Sequence, residues 1–224
     1  ENLEKPHIGI LNSDDNLLKR KICAKPRKAV ILGFGIKNHC DFSASGIRAF
    51  NDKIEFCVNP ALSKNSLYKE RMGGVNKKNK FTLKTPGYYN IYSALAAIAV
   101  ARVFGIAYKD IILRLDAFDF PQSRLKLIEL NNIKFIDDTY NSNPSSLVQA
   151  LNVLANFRTA GRKIFVMGDM LELGSYKESF HYQAGQKAAG CCDVFITVGN
   201  LSKLAAKGAM DSLFDANNIF ICQN

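Results

Sequence analysis

Of 224 residues, 30 are Lys or Arg and 20 are Asp or Glu, a formal charge of +10, and 47% are hydrophobic. At about 150 residues per domain there is room for one whole domain and part of another. The longest apolar stretch, NIYSALAAIAVARVFGI, opens on Asn90 and falls short of the ~20 apolar residues that a bilayer span requires, so no membrane helix is expected.

In chain order, HIGILN (7–12) reads as a buried strand, 14–22 as a short helix and AVILGF (29–34) as a second strand. A stretch with β character follows around 46–58, then a polar segment over 59–80 and a strand at 80–84. Pro86-Gly87 is a turn. From Asn90 to Phe104 strong helix formers carry apolar side chains on most faces, and Gly105 supplies the stop that helix C-termini favour. A second helix is expected over 108–116, and Phe118 to Ser123, with Pro121, reads as a linker and domain boundary.

Beyond the linker, strands and helices alternate, which is the pattern of a parallel α/β sheet. Residues 124–130 and 133–137 are expected as strands joined across Asn131-Asn132, within one Rossmann-like sheet that runs to residue 224. A helix over 144–157 has Asn143 as its N-cap and Pro144 as its first residue, and buries Leu147, Val148, Leu151, Leu154 and Ala155. Strand 163–168 leads into the loop DMLELG. Ser175 and Glu178 form a capping-box pair opening a helix to about 189, and strands follow at 192–199 and 219–222.

The six cysteines show no C-x-x-C spacing and the three histidines are scattered, so reduced thiols and no Cys/His metal site are expected. Residues 1–85 carry 17 basic and 8 acidic side chains, against 13 and 12 in the remainder. The clusters Lys19-Arg20-Lys21, Lys25-Pro26-Arg27-Lys28 and Lys77-Lys78-Asn79-Lys80 suit anionic ligands, but no aromatic stacking platform accompanies them, and no nucleic-acid partner is expected. The opening residues ENLEKPHIGILNSDDN lack a basic start followed by an apolar core, which points to the cytoplasm.

Three stretches carry candidate chemistry. FIDDTYNSNP (135–144) places Asp137, Asp138, Tyr140, Asn141 and Asn143 between a strand end and a helix N-terminus, where open α/β sheets bind ligands and free N–H groups favour an anion. Adjacent carboxylates there could orient ribose hydroxyls or a solvated Mg²⁺, or could shape the turn alone. In MGDMLELGS (167–175), Asp169 and Glu172 lie between two glycines and could face an amine or hydroxyl, or be solvated acids of a packed loop. In PGYYNIYSALAA (86–97), Asn90 could read an adenine edge or cap the helix.

Taken in order, PGYYNIYSALAAIAV, SRLKLIEL, FIDDTYNSNPSSLVQAL and VMGDMLELGSYKESFH, with His181 closing the last, resemble the Mur ligases, ATP-dependent amide-forming enzymes of peptidoglycan synthesis. The D-D-x-Y-N-x-N-P and G-D-M-x-E-L-G stretches are similar to the member that adds D-Ala-D-Ala to UDP-N-acetylmuramoyl-tripeptide. The resemblance implies an α/β chain in two parts. Residues 1–120 would be the C-terminal part of the family's central ATPase domain, and residues 121–224 its Rossmann-like C-terminal domain, incomplete at its end. It also implies an internal piece of a longer monomeric enzyme, because the family's phosphate loop, G-x-x-G-K-[ST], has no counterpart in these residues.

Carried over residue by residue, the resemblance puts Asn90 near the adenine and Arg124 on the ATP phosphates as the catalytic group. It puts Asp138 on the ribose and Tyr140 beside the nucleotide, and Asn141, Asn143, Asp169 and Glu172 are candidates for the substrate side. ATP and Mg²⁺ are the implied cofactors, with no metal ligand in this chain. Tyr89 and Ser93 stand where the family usually has His and Asn. A non-catalytic nucleotide- or partner-binding module of the same fold is the alternative.

Overall fold

The computed structural model describes residues 7–23, 29–60 and 78–223, and the chain divides into two units, Glu1–Asp119 and Phe120–Asn224. The cluster Lys25-Pro26-Arg27-Lys28 and residues 61–77 of the polar segment lie outside the described residues.

The first unit is built on one sheet of order β1-β2-β3-β4-β5. β1 (His7–Asn12) runs parallel to β2 (Ala29–Gly35), and β2 parallel to β3 (Phe42–Ala49) through Phe34 opposite Phe42 and Gly35 opposite Ser43. The β character expected around 46–58 resolves into β3 and the antiparallel β4 (Ile54–Pro60), joined by a turn in which the Phe50 N–H donates to the Lys53 carbonyl. Alternation sets the faces of β4, with Ile54, Phe56 and Val58 buried and Glu55 turned outward to Lys53 and Lys80. β5 (Asn79–Leu83) completes the sheet, and Phe56 stacks on Phe81 across that pair.

Helix α1 (Asn16–Cys23) starts at Asp15, whose Oδ1 accepts from the N–H groups of Leu17 and Leu18. Helix α2 (Asn90–Val103) packs on β1, β2 and β3 through Ile91, Leu95, Ile98 and Ala99, all fully buried. Its exit is a Schellman motif: Gly105, at φ +81°, donates to Arg102 O, and Ile106 N donates to Ala101 O. Helix α3 (Tyr108–Asp116) covers β5.

The second unit holds two sheets rather than the single one expected over 124–224. β6 (Lys126–Leu130) and β7 (Ile133–Asp137) form an antiparallel hairpin of their own. Its two-residue loop, Asn131-Asn132, has both residues at positive φ (51° and 62°), the geometry that turns a chain straight back instead of allowing a crossover. β8 (Ile164–Met167), β9 (Val194–Val198) and β10 (Ile219–Cys222) make a parallel sheet of order β10-β9-β8. The connections between them are helices α5 (Lys177–Ala188) and α6 (Ser202–Asp211). These two helices share a core with Leu147 and Leu151 of α4 (Pro144–Asn156), Met167 and Phe195.

Helix α4 begins as expected: Asn143 Oδ1 accepts from Ser145 N and Ser146 N, and Asn143 N donates back to Ser146 Oγ. Of its expected core residues, Leu147 and Leu151 are buried, and Val148, Leu154 and Ala155 are half-buried. The capping box expected at Ser175 and Glu178 does not form. Gly174, at φ +56°, feeds a 3₁₀ turn over Gly174–Tyr176 that absorbs Ser175, so α5 opens at Lys177 with no side-chain cap and Glu178 lies inside its first turn.

Helix α6 is not among the expected elements, and Ala205, Ala206, Gly208 and Ala209 form most of its buried face. Small residues there let the helix backbones meet. A Cβ on Gly185 would fall 1.7 Å from the Ala205 carbonyl oxygen, and one on Gly208 would fall 2.1 Å from that of Tyr182.

Candidate functional site

At the entry to the β6–β7 hairpin, Ser123 and Leu125 both take positive φ (57° and 50°) around Arg124. Side chains with a Cβ rarely adopt that conformation unless their surroundings hold them there. The holding groups come from the end of β7. Ser123 Oγ donates to Asp137 Oδ2 at 2.9 Å, Leu125 N donates to Asp138 Oδ1 at 3.1 Å, and Tyr140 N donates to Ser123 O at 3.1 Å. The two chain segments are thereby laced together, and Arg124 is lifted onto Tyr140 with its guanidinium carbon 4.1 Å from the ring centroid.

Both Arg124 and Tyr140 are exposed, Tyr140 by 66%. Among the described residues no carboxylate forms an ion pair with Arg124. The two neighbouring acids differ. Asp137 uses both oxygens within the turn, accepting from Thr139 N, Thr139 Oγ1 and Ser123 Oγ, and the Thr139 hydroxyl leads in holding its carboxyl below the usual range. Among the described residues Asp138 accepts through Oδ1 alone, and burial pushes its carboxyl above the usual range, against the Leu125 N–H and the Arg124 charge. A half-buried carboxyl with one oxygen open, beside an unpaired guanidinium, suits a ligand that carries hydroxyls next to anionic oxygens.

Asn141 is exposed beside this corner, while the Asn143 carboxamide is engaged in capping α4. In the DMLELG loop, Asp169 is committed to the fold. Its Oδ1 accepts from Leu201 N (3.0 Å) and Ser202 N (2.7 Å), and its Oδ2 accepts from Asn200 N (3.1 Å), closing the N-terminus of α6. Burial alone would raise this carboxyl, but the backbone donors outweigh it and the net shift is downward. Gly199, at φ +117°, makes room, since a Cβ there would lie 2.6 Å from Asp169 Oδ1.

His181 holds the same loop from the other side. It is fully buried, its Nε2 accepts from Met170 N at 2.8 Å, and its Nδ1 lies 2.6 Å from the Lys177 carbonyl. Because Met170 N can only donate and Lys177 O only accept, the ring is assigned the tautomer protonated at Nδ1. Glu172 is exposed on this loop at φ 60°.

In the first unit, Asn90 does not cap α2. It occupies the first helical position, and its Nδ2 donates to Thr85 Oγ1 at 3.1 Å, which also accepts from Gly87 N. Asn90 is half-buried and directly follows Tyr88 and Tyr89, both exposed. Sequence reasoning missed Asp14, which accepts from three consecutive backbone N–H groups after β2 and from the hydroxyl of Tyr92. Its partners lie 22 to 78 residues away, and the only local signal was the S-D-D run after β1.

Among the described residues no group of three His, Cys, Asp or Glu side chains is placed to hold a metal ion. None of the described helices is long and apolar enough to cross a membrane.

Residues 123–220, beginning at the first residue of the Arg124 corner, match the family described as Mur ligase, glutamate ligase domain. The chain belongs to the Mur ligase family. It is 39% identical over 199 residues to the UDP-N-acetylmuramoyl-tripeptide--D-alanyl-D-alanine ligase of Escherichia coli, covering 87% of this chain and 40% of that protein. The protein of that name from Buchnera aphidicola is 32% identical over 207 residues, covering 90% of this chain and 40% of its own length. The crystal structure of MurF from Acinetobacter baumannii superposes with a TM-score of 0.79 at 26% identity, over 98% of this chain and 43% of that one. This Mur ligase chain thus spans about two-fifths of the length of these relatives.

Proposed function

We propose that this chain is the portion of an ATP-dependent ligase that engages the nucleotide, in an enzyme joining D-Ala-D-Ala to UDP-N-acetylmuramoyl-tripeptide. The relatives named for that reaction support the substrate pair. The observation that carries the reading is the Arg124 corner, a guanidinium without a carboxylate partner beside a carboxyl with one open oxygen. Arg124 is the catalytic group, holding phosphate oxygens through its planar fork. Asp138 takes the ribose hydroxyls, Tyr140 lies beside the nucleotide, and Asn90 reads the adenine edge. Asn141 and Glu172 remain exposed toward substrate, whereas Asn143 and Asp169 act through the helices they cap.

In this reaction the tripeptide carboxylate takes the γ-phosphoryl group from ATP, and the amine of D-Ala-D-Ala displaces phosphate to form the amide. No side-chain nucleophile is required. Catalysis of this kind rests on positioning and charge neutralisation, which Arg124 supplies here. Mg²⁺ bound with ATP would add to that charge neutralisation, and among the described residues no group of three His, Cys, Asp or Glu side chains is placed to hold it. A cytoplasmic location goes with this reading, since ATP and a UDP-linked precursor are its proposed substrates.

Phosphate release by the full-length protein that carries these residues tests the reading. Release is expected only when ATP, tripeptide precursor and D-Ala-D-Ala are all present, with one pentapeptide product formed per phosphate. ATP binding without product would favour a non-catalytic nucleotide module instead.

A further inference from the structure

Asp14 follows β1 and receives five hydrogen bonds. Ile36 N (2.7 Å), Lys37 N (2.9 Å) and the Tyr92 hydroxyl (2.9 Å) donate to Oδ2, and Asn38 N (2.8 Å) and Asn38 Nδ2 (2.9 Å) donate to Oδ1. Three successive backbone N–H groups make a concave anion nest, and here the anion is the protein's own carboxylate. Gly35 leaves the space, because a Cβ there would sit 3.0 Å from Asp14 Oδ1. Burial works against the charge, but the backbone donors prevail and hold the carboxyl at about 2.

The nest ties the turns after β1 and β2 into one rigid block, and the Tyr92 hydroxyl fastens α2 to that block. At the helix entry the N-cap, Tyr89, makes no side-chain cap bond, and the side chains that tie this turn down are Asn90, through Thr85 Oγ1, and Tyr92, through Asp14. Tyr92 follows Asn90 by two positions, about 200° around the helix, so the two side chains leave opposite sides of it. Fixing one side sets the direction in which the other is presented. We infer that Asp14, acting through Tyr92, is a positioning residue that aims Asn90 at the nucleotide base. The inference rests on the proposed role of Asn90.

Steady-state kinetics of the full-length ligase test it with Tyr92→Phe, Asn90→Ala and the double variant. Tyr92→Phe removes one charge-assisted hydrogen bond and keeps the ring, so the KM for ATP rises by about fivefold while kcat and the KM for D-Ala-D-Ala stay within about twofold. Asn90→Ala raises the KM for ATP at least as much, and adding Tyr92→Phe to it raises KM less than about twofold further, because the aimed group is already gone. A lowered melting temperature with an unchanged KM for ATP in Tyr92→Phe overturns the inference and leaves Asn90 in place. The same fivefold rise in both backgrounds overturns it as well. An Asn90→Ala protein with a wild-type KM for ATP removes the role of Asn90 and the inference together.

Discussion

The second unit contains two acidic turns at strand ends, and they do opposite things. After β8, Asp169 is closed in by three backbone donors, Met170 is buried, and His181 clasps the loop from α5. After β7, Asp138 has one oxygen engaged, Tyr140 stands exposed, and Arg124 rests on it between two residues at strained φ. One turn engages both oxygens of its carboxylate with backbone donors, and the other engages one, beside a guanidinium that forms no ion pair among the described residues. Hydrogen-bonding capacity left unused, rather than the number of carboxylates, is what distinguishes the proposed binding corner from the structural clasp.

The largest effect should come from breaking the clasp. His181→Ala empties a fully buried site and leaves Met170 N without an acceptor, so the second unit should lose about 3 kcal/mol in urea unfolding. A loss below about 1 kcal/mol would mean the loop is held by other groups.

Asp169→Ala strips α6 of its capping carboxylate and should cost about 2 kcal/mol, whereas Asp138→Ala, which removes a single acceptor, should cost less than about 1 kcal/mol. Equal losses by the same measurement would erase the distinction between the turns.

The two acids should also titrate in opposite directions, as carboxyl-carbon NMR would show. Asp169, held below the ordinary value, contributes stability that is present above its unfolded pKa and lost as pH falls through its folded pKa. Asp138, raised by burial, contributes stability that is present below its unfolded pKa and lost as pH rises through its folded pKa. Midpoints shifted the same way would break the comparison.

Much of the frame was legible from local chemistry. Asn143-Pro144 specifies the start of α4, Gly105 the exit of α2, and Asn131-Asn132 the hairpin turn, each through a conformation that neighbouring residues decide. The failures share a cause. Asp169 and Asp138 sit in similar acidic runs, and only donors at 200–202, about thirty residues on, assign Asp169 to the fold. The Asp14–Tyr92 bond joins residues 78 positions apart, and the buried face of α6, made of Ala and Gly, takes its role from close contact with α5. Arg124 was placed by resemblance, but the left-handed residues that present it, Ser123 and Leu125, have no sequence signature.

The kinetics of Arg124→Lys in the full-length protein, assayed for the proposed ligation, test the Arg124 corner most directly. Lysine keeps the charge but loses the planar fork and the stacking on Tyr140, so kcat should fall by about tenfold, ~1.4 kcal/mol, with a smaller change in the KM for ATP and an unchanged melting temperature. A kcat within about twofold of wild type would mean that Arg124 is a surface residue resting on a ring, and that the corner does not engage the transferred phosphate.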